Sequence, residues 1–458
     1  VMVDEAHERS QNIDFSLGLL KATQIKRKEQ GLPPLKIIIS SATIEKEKFA
    51  QYFDSAPALE IPGRLYPVKI SYETYNPVPN QIPSLAADKV KEILTTSQAG
   101  DILIFMPGEQ EISKTIEAIN LEVSNKDNIE ILPLYGQMDP ESQNKIFTKN
   151  GKRKIIVSTN IAETSLTIPG IIYVIDSCLI KQIKYDPDKG IQSLETNMHS
   201  QSGLTQRAGR AGRVQPGFCY RLCTEAAFDQ ADKFSTPEIL RANLSNVILT
   251  MKSLKISPDT FDFIDQPGVK NIQEAITILK EIGALDREGN ITQDGEIMNE
   301  LPLEPHLGRI LVESERYNNA ETIVTITAFL SGKNVFVRPK EKARQADEVH
   351  EQFEDNDSDF ITFLNVWKAY EKSNYSYRWA VDNFLNPKVL NEIKEIRLQL
   401  LRILRKNNIK AEKNEDPDKI GLCITAGLLD KLFLSSGFHT CQHKSKYDGH
   451  DSSSAYIH

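Results

Sequence analysis

The chain has 458 residues, too many for one ordinary hydrophobic core, so three or four domains are expected. Its 40% hydrophobic and 26% charged residues describe a globular protein, and no apolar run approaches the roughly 20 residues that span a bilayer. The formal net charge of −8 does not mark the whole chain as a nucleic-acid binder, although a local positive groove is enough for one.

The first ten residues, VMVDEAHERS, carry an apolar β-branched run that reads as the end of a buried strand, followed at once by Asp4 and Glu5. Carboxylates at the carboxyl end of a strand face the ligand crevice of an α/β sheet. Asp4 is placed to hold Mg²⁺, directly or through water, and Glu5 to polarise a water for attack on a phosphoryl group. Phe15 to Ile25 predicts an amphipathic helix with Lys26, Arg27 and Lys28 at its exposed end, and Leu35 to Ile39 a second buried strand running into Ser40-Ser41-Ala42-Thr43. Strand–helix–strand alternation predicts a parallel sheet, with the Ser41 and Thr43 hydroxyls placed to bond the acidic pair; Thr43 also suits a helix N-cap.

Six prolines and a glycine between Ala56 and Pro83 mark a connector, with a domain boundary near Gly63. A second α/β domain is predicted beyond it: strand Asp101 to Met106, helix from Glu109, strand Ile129 to Leu134, helix from Pro140 and strand Lys154 to Ser158. The basic run Lys145, Lys149, Lys152, Arg153 and Lys154 reads as a solvated surface compatible with nearby phosphates. Ser158 to Asp176 opens on a hydroxyl-rich turn that suits phosphates, and Tyr185 to Leu194 reads as a hairpin turning at Asp188-Lys189-Gly190. In QRAGRAGR, Gln206 to Arg213, the arginines Arg210 and Arg213 are three apart, hence on one face of a helix where both can converge on a polyphosphate; Gly209 and Gly212 keep that face open. Thr236-Pro237-Glu238-Ile239 predicts a capped helix start, Ile248 to Leu254 and Ile272 to Ile282 two further helical stripes, and Gly289-Asn290 the turn of a short strand pair. Helices then continue from Gly295 to about Asn408, and a charged linker runs from Glu412 to Asp418. The five cysteines have no CxxC spacing, so a reducing compartment is expected; His439, Cys441 and His443 match no standard zinc spacing and read as loop residues.

D-E-A-H at Asp4 to His7, S-A-T at Ser41 to Thr43 and QRAGRAGR at Gln206 to Arg213 resemble, in order, motifs II, III and VI of the DEAH-box helicases of superfamily 2. GDILIFMPGEQEI resembles motif IV and STNIAETSLTIPGIIYVID motif V; Glu109 and Pro169 lean toward HrpA-like members. The resemblance implies the second half of one RecA-like domain (1–63), a complete second one with its hairpin (64–224), a winged helix (225–294), a helical ratchet bundle (295–411) and the start of an OB-fold (412–458). It implies catalytic roles for Glu5 as base, Gln206 positioning the water, and Arg210 and Arg213 as arginine fingers. Nucleotide contacts would come from Asp4, His7, Ser41, Thr43, Phe147, Ser165 and Thr167, with Asp4 on Mg²⁺ through water. Gly108, Thr159 and Asn160 would meet nucleic acid. Phe147 would stack on adenine, and it fits equally as a helix-end core residue. His199 to Gly203 departs from the usual I-S-x-A-S-A, with Gly203 expected to loosen the helix start.

No GxxxxGK[ST] occurs in the sequence, and Val1 is not a methionine, so the chain is expected to be incomplete at both ends and not to sustain ATP turnover alone. The resemblance implies an ATP- and Mg²⁺-dependent 3′-to-5′ RNA helicase or translocase, a monomeric motor acting on single-stranded or structured RNA, with a G-patch-type or other activator and no membrane partner. The expected location is cytoplasmic, or nuclear or nucleolar in a eukaryote. Two rivals are a non-catalytic RNA-binding scaffold and a DNA-directed helicase, since nothing in the sequence reads the 2′-OH.

Overall fold

The structure is a computed structural model that describes all residues except 43–44, 62–65, 98, 124–127, 137, 139, 164–166, 187–190, 340–341, 430–432, 438–439, 444–453 and 457–458. The chain divides into two compact units: Val1–Ala242 with Asp262–Gln266, and Asn243–Phe261 with Pro267–His458.

The first unit begins with β1 (Met2–Val3), α1 (Gln11–Glu29), β2 (Ile38–Ile39) and α2 (Lys46–Tyr52). The two strands pair in parallel, Val3 opposite Ile39. Val3 and Ile39 pack with Ala6, Leu17 of α1 and Phe49 of α2, whereas Met2 and Ile38 are each 60% exposed. The expected buried strands are thus buried on one face only, because helices cover one side of this two-stranded ribbon and successive side chains alternate between faces. Around this core the buried Arg9 guanidinium sits 2.7 and 3.0 Å from the Asp14 carboxylate and 2.5 Å from Asp265. Asp265 also takes Lys48 at 2.5 Å, Ile264 packs on the apolar cluster, and the Tyr52 hydroxyl donates to the Asp262 carbonyl at 2.5 Å. Residues Asp262–Gln266 therefore act as a strap across the first sixty residues. The Thr236–Ile239 signal forms only a 3₁₀ turn, Glu238–Leu240, whose first N–H donates to the Arg9 carbonyl instead of starting a longer helix.

Next come β3 (Val68–Tyr72), α3 (Ile82–Thr96), β4 (Asp101–Phe105), α4 (Glu109–Glu122), β5 (Ile129–Leu134), α5 (Pro140–Asn144), β6 (Arg153–Ser158), β7 (Ile171–Asp176), the hairpin β8 (Leu179–Asp186) with β9 (Ile191–Met198), α6 (Gln201–Gly209), β10 (Gly217–Arg221) and α7 (Glu225–Gln230). Six strands form a sheet in the order β3-β10-β7-β4-β6-β5, every neighbouring pair parallel. The DILIF sequence of β4 is covered on both sides: Ile102 and Ile104 pack with α3 and α4, Leu103 and Phe105 with Ile146, Ala208 and Ala211. A strand read as a continuous apolar run is what a doubly covered parallel sheet requires. This is the mixed α/β architecture with a parallel sheet that was expected. The hairpin pairs from Leu179–Met198 to Asp186–Ile191, longer than the predicted 185–194; its turn lies outside the described residues. The basic run is solvated only in part: Lys145, Lys149 and Lys152 are exposed, but Lys154 is buried, giving its ammonium to the carbonyls of Ile146 and Thr148 at 2.7 and 2.6 Å, and Arg153 donates to the Gly100 and Ser97 carbonyls.

The second unit is helical: α8 (Ser245–Ser253), α9 (Val269–Glu281), α10 (Gln293–Glu300), α11 (Pro305–Glu313), α12 (Ala320–Ser331), α13 (Ala343–His350), α14 (Asp359–Lys372), α15 (Tyr377–Asp382), α16 (Pro387–Lys406) and α17 (Pro417–Gly427). The strand pair around Gly289 is a single bridge, Leu285 to Ile291. The expected boundary at 294 falls inside α10, which is capped by the Thr292 hydroxyl. α12, α14 and α16 share a core around Phe329, Trp367 and Ile393. β11 (Phe433–Gly437), β12 (Thr440–His443) and β13 (Ser454–Tyr456) form a three-stranded antiparallel sheet, and an OB-fold is not shown. Among the described residues no helix is long and apolar enough to cross a membrane, and no cluster of metal-ligating side chains occurs.

Candidate active site

Asp4 and Glu5 leave the end of β1. The Ser40 hydroxyl donates to Asp4 Oδ1, as does the Glu5 N–H at 3.0 Å, and these bonds hold the exposed Asp4 carboxyl below its ordinary range. The hydroxyl on Asp4 is thus that of Ser40, one position before Ser41, because the loop after β2 meets β1 directly in register. Both bonds fall on one oxygen, which leaves Oδ2 for a ligand. Glu5 has φ 53° and Arg9 φ 47°, so left-handed residues frame the 3₁₀ turn Ala6–Glu8. That conformation costs a residue with a side chain roughly 1–2 kcal/mol. The burial of Ala6 beneath this turn and the Arg9 ion pairs hold it in place. His7 Nδ1 lies 3.3 Å from Glu5 Oε2, and both ring nitrogens are buried without a hydrogen-bond partner.

The QRAGRAGR block does not lie wholly on a helix. α6 ends at Gly209, and Arg210 to Gly212 continue in turns that bond three residues back. At about three residues per turn, side chains three apart still share a side. Arg210 donates to the Glu163 carbonyl and Arg213 to the Thr167 hydroxyl, so the pair grips both ends of residues 163–167. Burial pushes the Arg210 guanidinium down to about 10; Arg213 repels it further, while Glu163 and Glu5 draw it back. The Glu5 carboxylate is therefore within electrostatic reach of Arg210. Gly209 has open space around it, as expected, but Gly212 does not: a Cβ there would lie 2.6 Å from the Tyr66 carbonyl.

Arg207, which the sequence reading passed over, is the anchor of this region. Its side chain is buried, 3.1 Å from Glu163 and 2.9 Å from Asp176, with its guanidinium 5.0 Å from the Phe105 ring centre. His199 bonds the same Glu163 carboxylate. Burial alone would raise Glu163, but the His199 hydrogen bond and the Arg207 charge outweigh it and hold the group below its ordinary 4.5. A signal existed: Leu204, Arg207, Ala208 and Ala211 follow the i, i+3, i+4, i+7 spacing of a buried stripe. A charged residue on such a stripe demands partners.

A cleft of about 500 Å³ is lined by His7, Asn160 and Gln206 together with Glu163, Lys181 and His199. The structure thus brings three predicted site residues together. Gly108 caps α4, where the Lys181–Glu111 ion pair (3.0 Å) fills the space a Cβ would take. Thr159 precedes the 3₁₀ turn that Asn160 begins. Phe147 is 40% exposed, which removes the core reading of this residue. Gly108, Thr159 and Phe147 do not line the cleft. Thr43 and Ser165 lie outside the described residues.

Comparison with protein families matches residues 86–215 to the helicase conserved C-terminal domain, 275–303 to the winged-helix part of the helicase-associated domain and 304–363 to its ratchet-like part.

Proposed function

From a helicase C-terminal domain and both parts of the helicase-associated domain, which together indicate a DEAH/RHA-type superfamily 2 helicase, we propose that the protein is an ATP-dependent RNA helicase or translocase moving 3′ to 5′. The observation that carries this reading is the cleft that His7 of the D-E-A-H block and Gln206 of the QRAGRAGR block line together. Such helicases in general use ATP and a divalent metal.

The residues present fit the metal and the phosphates. Asp4 is held ionised with one oxygen uncommitted, so it would hold Mg²⁺, most simply through water. When bound, Mg²⁺ would neutralise phosphate charge. Glu5, beside it, would accept the proton of the attacking water, and Gln206 would orient that water. Arg210 and Arg213 would leave the Glu163 carbonyl and the Thr167 hydroxyl for the developing phosphoryl charge. The sequence contains no GxxxxGK[ST] loop, so residues 1–458 supply the acid and the arginines but no triphosphate cradle. The second reading is a non-catalytic RNA-binding scaffold, against which the intact acid and arginines argue, and one assay separates the two. The complete gene product should hydrolyse ATP faster with RNA than with DNA strands of equal length, and Glu5→Gln should lower turnover at least about 10³-fold while RNA binding persists. Absence of turnover would sink the enzymatic reading, turnover untouched by Glu5→Gln would remove Glu5 as its base, and equal stimulation by both strands would remove the RNA preference.

A further inference from the structure

The His199 ring lies across Gly203 in the first turn of α6. A Cβ at 203 would sit 2.1 Å from Nε2 and 2.3 Å from Cε1, so this ring fits only because residue 203 has no side chain. The glycine that seemed to loosen the helix start instead accommodates His199, while the Ser200 hydroxyl caps the helix by accepting from the Gly203 N–H at 3.2 Å. His199 Nε2 is 3.1 and 3.2 Å from the two Glu163 oxygens. An ionised carboxylate only accepts, so Nε2 carries the proton. Nδ1 is buried without a partner, so Nε2 makes the ring's polar contact.

Glu163 is clamped from every side. Its carboxylate lies between His199 and Arg207, its N–H donates to the Asn160 carbonyl at 2.8 Å, and its own carbonyl receives Arg210. With its N–H and its side chain both fixed, the residue can turn its carbonyl only about its own Cα–C bond.

We propose that His199 is a positioning residue for Arg210: by fixing Glu163 it sets the carbonyl on which the guanidinium rests before it moves to a phosphate. The kinetic consequence rests on the reading of Arg210 given above; the positioning itself does not.

The test uses the 458-residue chain with ¹⁵N-labelled arginine, the Arg210 guanidinium resonance being assigned by its loss in Arg210→Lys. His199→Ala should shift that resonance or broaden it into exchange, and His199→Gln, which returns a donor to Glu163, should restore it. Gly203→Ala should mimic His199→Ala when the ring is present and have little effect in a His199→Ala background, because the clash is with the ring. An Arg210 resonance unchanged by His199→Ala, or a Gly203→Ala effect of equal size in both backgrounds, would overturn the proposal. A second arm measures ATP turnover in the complete gene product, where His199→Ala should lower kcat about 10²-fold with KM for ATP nearly unchanged and His199→Gln should recover most of it. Absence of turnover in the parent protein would count against the enzyme reading alone, and the resonance arm would still decide on His199.

Discussion

At Glu163 a carboxylate is buried, yet it keeps its charge, because His199 and Arg207 offset what desolvation costs. The sign of its contribution to stability follows. A group whose carboxyl is more acidic in the folded state than its ordinary 4.5 stabilises the fold above that value and loses the contribution as pH falls through the folded value. Urea unfolding followed from pH 7 to pH 3 should therefore show stability declining below about pH 4.5, and Glu163→Gln should flatten that decline; an identical decline in the variant would refute the assignment. The sequence showed the exposed chemistry at this scale better than the buried chemistry. Asp4, Glu5, Arg210 and Arg213 stand in short motifs whose residue types already imply phosphate chemistry. The Glu163–Arg207–Asp176 network joins residues up to 44 positions apart, and only packing brings them together. That Ser40 bonds Asp4 was not legible in the loop, where register is set by the strand pairing and not by local preference.

Elements were legible wherever one period ran long enough. The strands at 101–105, 129–134 and 153–158 follow the predicted runs closely, and the helices at 320–331, 359–372 and 387–406 fall within the predicted helical stretch, since doubly covered strands and amphipathic helices have unmistakable patterns. The end of α6 was not legible, because Arg-Ala-Gly-Arg has no strong stop and i+3 turns keep nearly helical spacing. Close approaches between helices were invisible too. Gly427 at the end of α17 lets the His306 Nδ1 approach its carbonyl at 2.8 Å, and a Cβ there would lie 2.4 Å from the His306 carbonyl and 2.4 Å from Ile310 Cγ1. Gly427→Ala should separate α17 from α11 at a cost of about 1–3 kcal/mol. Thermal unfolding of the second unit should fall by roughly 2–4 °C for each kcal/mol lost. An unchanged midpoint would mean the contact is looser than the geometry shows.

At the scale of the whole molecule, the division into two units gives an optical handle. Both tryptophans, Trp367 and Trp379, belong to the second unit, so tryptophan fluorescence follows that unit while circular dichroism follows both. Arg207→Leu leaves Asp176 and Glu163 without their buried cation, a loss of about 3–5 kcal/mol in the first unit. The dichroism transition should then split, its early part silent in fluorescence; coincident transitions would show that the units unfold as one.

The strap formed by Asp262–Gln266 also imposes a timetable on synthesis. Arg9 and Asp265 are 256 positions apart, and at about 5–20 residues per second a ribosome separates their appearance by roughly 13–50 s. For that interval the first sixty residues wait without the partner that completes their ion-pair cluster, while the six-stranded sheet downstream has already emerged. A pause or rare-codon stretch between positions 10 and 262 would lengthen this wait, so translation speed governs how long the amino-terminal segment stays open to chaperones and proteases.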